Sequence, residues 1–457
     1  MPRRLSRQMG GQGSATVNAE RSLIPIGTAT LLPDAAHRIR HLEQTFFHCI
    51  GTWGYREIIP PTFEFLDVLS AGLPADALEK CFKFADWTTG RILVLRPDVT
   101  AQMARIVAMG MAGHGTPLRL SYRTTVFRYE PEHAGREREI FQVGVELIGE
   151  DTPACDAEIL TLLIESLKAL GLTDFTVSLG HVGFYQGLLA RSGLSESGRQ
   201  AAELAAAGKD IPKLEHVLAK ERVPRHEARV ILETLCRYGR KEILGWGKSI
   251  AGRDRFLTGP IDRLSQVYHF LEQAGVAEHL LIDLGEFRGF QYYDGLVFDV
   301  FSAHLGSALG GGGRYNHLIG RFGHNLPSTG FALDVDRIVS ACDRMQPFPS
   351  KPVASILVAS PPTHYKAAYQ IAQALRNEGR QVFQEIYDKS YRSAKTTLLK
   401  QALHAGAATL VVMGVPRIAA HECLLVIPGT NGAAPNEHQC ALANVPSILS
   451  GKPNGDR

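Results

Sequence analysis

The feature that most constrains this chain is a change of rhythm at the proline-bracketed stretch Pro347 to Pro352. Before it, strand-length apolar runs bunch together between helices; after it, strands and helices alternate one by one. Bunched strands have room to form hairpins, so the first part predicts an α+β domain with a mostly antiparallel sheet. Single alternation predicts a compact α/β domain with a partly parallel sheet over 353–450.

Within the first part, strands are expected at Cys81 to Ala85, Ile92 to Leu95, Leu118 to Tyr122, Thr125 to Tyr129, Glu139 to Leu147, Phe175 to Leu179, Leu280 to Asp283 and Leu296 to Phe301. Helices are expected at 33–50, 99–111, 152–170 and 327–344, the first because Ile39, Leu42, Phe46 and Ile50 recur at helical spacing behind Pro33 and Asp34. From about 190 to 275 the pattern is helix only, Ala-rich segments joined by Gly, Pro and polar breaks, which predicts a helical insertion. The basic Gly/Ser/Gln-rich start, 1–22, reads as a disordered tail.

Of 457 residues, 49 are Lys or Arg and 46 Asp or Glu, a formal net charge of +3. That balance lacks the basic excess of a protein that grips nucleic acid through its phosphates. No apolar run approaches the roughly 20 residues needed to span a bilayer. Seven cysteines without a C-x-x-C pair argue against a disulfide framework or a zinc knuckle, so a reducing cytoplasm fits best and no metal is expected.

Four segments could carry chemistry. In Val126 to Gln142 the period of two puts Arg128 on one face and Arg138, Ile140 and Gln142 on one face of a return strand. Two forked guanidiniums in one cleft suit an anionic group, although an exposed, self-neutralising hairpin fits the same residues. Asp98 and Thr100, just after a strand, either present a carboxylate to an ammonium or cap the next helix. Glu286 to Gly295 sets aromatics beside Arg288 and two glycines. Gly310 to Gly313 either allows close backbone approach or is a hinge. No Gly-Lys-Ser/Thr follows, so it is not a P-loop.

The order of these segments carries more than any one of them. Leu95 to Thr100, Phe127 to Glu130 with Gly135 to Glu139, Phe141 to Glu146, Arg288 to Tyr293, Gly311 to Tyr315 and Gly330 to Arg337 resemble, in series, the active-site motifs of histidyl-tRNA synthetases and their paralogues. The resemblance covers about 23–345. It implies a class II aminoacyl-tRNA synthetase-like antiparallel sheet flanked by helices, a dimer, and a histidine pocket formed by Asp98, Thr100, Arg128, Gln142, Glu146, Arg288, Tyr292 and Tyr293. Free histidine offers an ammonium for Asp98, Gln142 or Glu146, a carboxylate for Arg128 or Arg288, and an imidazole for Glu146 or the tyrosines.

Departures from the synthetase pattern point to a paralogue. Asp334 stands where the synthetase motif has Gly, and Asp336 where it has Glu; Asp98 and Val99 replace a Glu-Gly pair. A carboxylate at Asp334 is expected to crowd and repel an ATP phosphate. Segments Gly180 to Leu189, Phe82 to Asp86 and Pro25 to Pro33 are similar to the regulatory subunit of ATP phosphoribosyltransferase (HisZ), a paralogue without aminoacylation activity. That resemblance implies no catalytic residues and no cofactor, with histidine as allosteric ligand. It implies a dimer within a hetero-octamer with the short-form catalytic subunit, HisG, in the first step of histidine biosynthesis. It implies neither tRNA nor membrane as partner. The alternative is a histidyl-tRNA synthetase that charges tRNA. Residues 353–450 resemble the synthetases' anticodon-binding domain in degenerate form, with Met413 to Arg417 in place of an acidic pair.

Overall fold

The structure is a computed structural model that describes residues 24–111, 113–129, 138–286, 292–345, 355–388, 390–428 and 434–449. The 1–22 tail lies outside these residues. The chain divides into two compact units, Met1–Phe348 and Pro349–Arg457. No described helix is long and apolar enough to cross a membrane.

The first unit is built on a nine-stranded sheet in the order Arg56–Glu57, Leu118–Phe127, Glu139–Ile148, Ser328–Asp334, Ala308–Arg314, Leu296–Ser302, Phe175–His181, Leu280–Asp283, Tyr238–Gly239. Its pairings are antiparallel except at two places, where Arg56–Glu57 runs parallel to Leu118–Phe127 and Phe175–His181 parallel to Leu280–Asp283. Alternation divides the sheet into two chemically different faces. Val143, Val145, Leu147, Phe298, Val300, Phe331 and Leu333 share one apolar cluster with Ile39, Leu42, Phe46 and Ile50 of helix Pro33–Thr52 and Ile159, Leu163 and Leu167 of helix Pro153–Ala169. Each such side chain, fully buried, contributes about 1.5–3 kcal/mol. The intervening Gln142, Gly144 and Glu146 therefore face the other way.

Helix Pro153–Ala169 starts where its sequence predicts. Thr152 caps it by accepting from Cys155 N at 3.3 Å, and Pro153 occupies the first turn, where no donor is lost. The helical segment contains Val182–Arg191, Glu196–Ala207, Ile211–Lys220, Arg225–Cys236, Glu242–Ala251 and Arg255–Gln273. It is not helix only: Tyr238–Gly239 pairs with Leu280–Asp283 at the sheet edge. Leu188, Ala202, Leu214 and Leu264 join the same apolar cluster as the sheet, so these helices share its core.

Three other expectations change. The segment read as a helix over 327–344 is strand Ser328–Asp334 followed by helix Val335–Met345. Pairing on both sides, with Glu139–Ile148 and Ala308–Arg314, overrides the local pattern. The glycine run is itself the strand Ala308–Arg314, so of its two readings close backbone approach holds and the hinge does not. A Cβ on Gly312 would strike the carbonyl of Gly330, so the glycines are what lets these strands lie together. The two expected strands around Tyr122 are one, Leu118–Phe127, paired throughout with Glu139–Ile148.

In the second unit, Val382–Ile386, Ser355–Ser360 and Ala407–Val412 are parallel neighbours, and Glu422–Ile427 and Asn436–Ala441 extend the sheet antiparallel. Helix Tyr365–Asn377 packs Ala368, Ala372 and Leu375 on one face, and helix Tyr391–His404 packs Ala394, Leu398 and Ala402 on the other. The last strand, Asn436–Ala441, is polar and largely exposed, which hid it from the hydrophobic pattern.

One buried ion network ties the helical layer to the sheet. Arg314 Nε donates to Asp156 Oδ1 at 2.8 Å, and Arg263 Nε donates to Asp156 Oδ2 at 2.8 Å. Arg263 also donates to Asp151 at 2.9 Å. Asp156 and Arg314 are both almost wholly buried, so removing one partner leaves an uncompensated charge. Asp156→Ala is expected to cost about 3–5 kcal/mol. Urea unfolding followed by tryptophan fluorescence measures it, since Trp53, Trp87 and Trp246 all lie in the first unit. A loss under 1 kcal/mol would show the network to be energetically idle.

Candidate functional site

The polar face of the sheet holds a cavity of about 140 Å3. That is close to the roughly 150 Å3 of an engineered cavity that takes up benzene, so it has room for a ring-sized group. Asp98, Thr100, Arg128, Gln142, Tyr292 and Tyr293 all line it, together with Gly310, Gly311, Gly330, Asp334, Tyr315 and Arg337. Six of the eight residues expected at the site therefore meet in one place from four separate segments. Arg288 lies outside the described residues.

Glu146 stands behind the wall. Thr100 Oγ1 donates to Glu146 Oε1 at 3.0 Å, and the Tyr315 hydroxyl donates to Oε2. A Cβ on Gly330 would collide with this carboxyl group and with the Val145 carbonyl, so only glycine lets the cavity floor pass over Glu146. Burial pushes the Glu146 carboxyl up to about 8, with the two hydroxyl donors working against that rise. Near neutral pH it is largely uncharged, which suits a support for Thr100 and Tyr315 better than a counter-ion for an ammonium.

Of the two carboxylates expected at the site, Asp98 is the one that faces the cavity. Its Oδ1 accepts from Ala101 N at 2.9 Å and its Oδ2 from the Tyr292 hydroxyl at 3.3 Å. The capping and ligand readings of Asp98 are thus compatible, because one oxygen bonds the first turn of helix Thr100–Gly110 while the residue still lines the pocket. Burial raises its pKa, while the Ala101 amide and the Arg128 charge pull the other way. An arriving cation would offset the cost of that buried charge.

Arg128 Nε donates to the Pro97 carbonyl at 2.8 Å, which fixes the guanidinium next to the strand end that carries Asp98. Arg138 does not join it. Its guanidinium lies over the Tyr129 ring at 5.0 Å, so the expected two-arginine cleft is not built from this hairpin. The second cavity guanidinium is Arg337, whose Nη1 donates to Ala308 O at 2.6 Å. Arg96, from the same motif as Asp98, is structural: buried, it donates to the carbonyls of Pro60, Pro61 and Thr125 at 2.7–3.0 Å.

Tyr292 and Tyr293 serve as core and wall at once. Their centroids are 4.7 Å apart, and Tyr315 meets them edge-on at 6.0 and 6.4 Å. Tyr315 was not among the expected site residues, although the period of two contains the signal. In strand Ala308–Arg314, Gly311 faces the cavity and Arg314 faces Asp156, so the next odd position returns to the cavity side.

The shifted carboxyl of Glu146 makes stability pH-dependent. Its folded pKa is raised, so the folded state keeps a proton that the unfolded state releases between about pH 4.5 and 8. Stability should fall as pH rises through that window, with a slope for this group of at most about 1.4 kcal/mol per pH unit. Glu146→Gln removes the titration and keeps both hydroxyl partners, so its stability should fall less between pH 5 and 8 in urea titrations. Parallel pH profiles for the two proteins would contradict the buried, neutral carboxyl.

Comparison with known proteins agrees with this geometry. The family model for histidyl-tRNA synthetase matches residues 27–338. The ATP phosphoribosyltransferase regulatory subunit of Desulforamulus reducens is 39% identical over 373 residues, 81% of this chain and 91% of that protein. The one from Geobacter sulfurreducens is 37% identical over 369 residues, 80% of this chain and 84% of that protein. A solved structure described as an ATP phosphoribosyltransferase regulatory subunit/histidyl-tRNA synthetase, from Bacillus halodurans, superposes with a TM-score of 0.73. It is 26% identical and covers 82% of this chain and 96% of its own. Histidyl-tRNA synthetase from Nostoc sp. PCC 7120 shares the fold, with a TM-score of 0.77 at 19% identity, over 94% of this chain and 98% of its own. With a synthetase-type sheet, a cavity on its polar face and close relatives of one kind across most of its length, the chain belongs to the family of ATP phosphoribosyltransferase regulatory subunits.

Proposed function

We propose that this chain binds free histidine in the cavity and transmits its occupancy to a catalytic ATP phosphoribosyltransferase subunit, without itself charging tRNA. The observation that carries the reading is the composition of the cavity wall. A buried carboxylate, Asp98, and a guanidinium, Arg128, lie beside three tyrosines around a space sized for one ring. An ammonium suits the carboxylate, a carboxylate suits the guanidinium, and an imidazole can stack on or hydrogen-bond to the tyrosines. A zwitterionic amino acid with a flat polar ring uses all three.

The partner is the short-form catalytic subunit, HisG, and the assembly is a hetero-octamer that contains dimers of this chain. Histidine in the cavity reorders the segments that carry Arg128 and Arg288 and so favours one assembly state over the other. Linkage then makes the effect reciprocal: substrates of the catalytic subunit that favour the active state weaken histidine binding by the same factor by which histidine weakens theirs. The 353–450 unit serves packing or partner contact.

Calorimetric titration with L-histidine, and inhibition of the assembled enzyme by histidine, test the reading together. Arg128→Ala is expected to weaken histidine binding at least tenfold and to raise the inhibitory concentration in parallel. Unchanged inhibition in the variant would rule out this cavity as the feedback site. Histidine-dependent exchange of pyrophosphate into ATP by the isolated chain would instead favour a synthetase.

A further inference from the structure

The sequence alone makes Asp334 an intruding negative charge; its surroundings make it something else. Asp334 ends strand Ser328–Asp334 and pairs in register with Gln142, so the two side chains stand side by side on the polar face. Gln142 Nε2 donates to Asp334 Oδ1 at 2.8 Å. Arg337, one turn into the following helix, places Nε 3.3 Å from Oδ2. Asp334 is 6% exposed, a depth at which an unpaired carboxylate would cost several kcal/mol. Paired on both oxygens, it instead fixes two of the cavity's donor side chains.

We infer that Asp334 is an internal anion that determines the specificity of the cavity: it holds the donors of Gln142 and Arg337 at one end of the cavity and so excludes ligands with phosphate chains by occupation. The inference deepens the histidine reading and rests on it only for the identity of the accepted ligand. An incoming polyanion at this end meets a carboxylate whose neighbouring cation is already engaged, and must break the bridge before it gains a partner. A ligand with one carboxylate, directed at Arg128, leaves the Asp334 bridge intact. Without the Asp334 side chain, Gln142 Nε2 and Arg337 Nε would be released, with Arg337 Nη1 still held by Ala308 O, beside a floor of Gly310, Gly311 and Gly330 where backbone already approaches closely.

The test uses the full chain with ATP as probe, measured by calorimetry with and without Mg2+, and L-histidine titrated on the same preparations. Asp334→Gly should bind ATP at least tenfold more tightly than the unsubstituted chain. Asp334→Asn, which keeps the shape and removes the charge, should gain less. Adding Arg337→Ala to Asp334→Gly should abolish the gain. Two folded single variants that bind ATP no better than the parent would overturn the inference, as would a gain that survives the loss of Arg337. If ATP affinity rises as expected while histidine binds to none of the proteins, the specificity role stands and the histidine reading fails.

Discussion

The structure depends on one constraint: a sheet whose two faces must solve opposite problems with alternate residues of the same strands. Val143, Val145 and Leu147 face the apolar core; Gln142 and Glu146, on the alternate positions, face the other side, where Gln142 lines the cavity and Glu146 lies behind its wall. Any one-residue slip in register would exchange the two sets, placing a carboxyl and an amide in the core. The apolar packing that stabilises the unit therefore also fixes the position of the polar residues that define the site.

Burying polar groups on a sheet face is costly unless each finds a partner. Here the partners come from segments far apart in the chain. Glu146 takes hydroxyls from Thr100 and Tyr315, Asp98 takes a hydroxyl from Tyr292, and Asp334 takes Gln142 and Arg337. Glycine at 330 supplies the space in which these groups lie close together. The result is a wall on which many donors and acceptors are committed to each other. A catalytic site that binds a nucleotide needs free donors at the positions of its phosphates. This cavity has one pair of such donors bridged by its own carboxylate.

Much of the fold was legible locally. Helix Pro33–Thr52 shows its apolar stripe and its proline start, and helix Pro153–Ala169 its Thr-Pro cap. What was not legible shares a cause. Ser328–Asp334 and the glycine strand Ala308–Arg314 are stabilised by neighbours on both sides and carry little pattern of their own. Asn436–Ala441 is an exposed, polar edge strand, again set by its neighbour and not by its composition. At the site, the motif series named six residues that line one cavity. It also put Glu146 on the wall, and the period of two offered Arg138 as a second cleft guanidinium, because spacing gives the face of a strand but not the depth at which a side chain stops.

The sequence by itself determined the two-unit organisation, the synthetase-type series of motifs and the residue types available to the cavity, since these follow from periodicity, order and chemistry along one dimension. Only the tertiary structure decided how those residues are spent. Whether Asp334 repels a ligand or bridges Gln142 and Arg337 depends on strand register and on the helix that begins at Val335. Whether Glu146 is a charge or a neutral support depends on how deeply Gly330 and Tyr315 cover it. A carboxylate's role is set by its partners and its distance from water, and both are properties of three dimensions.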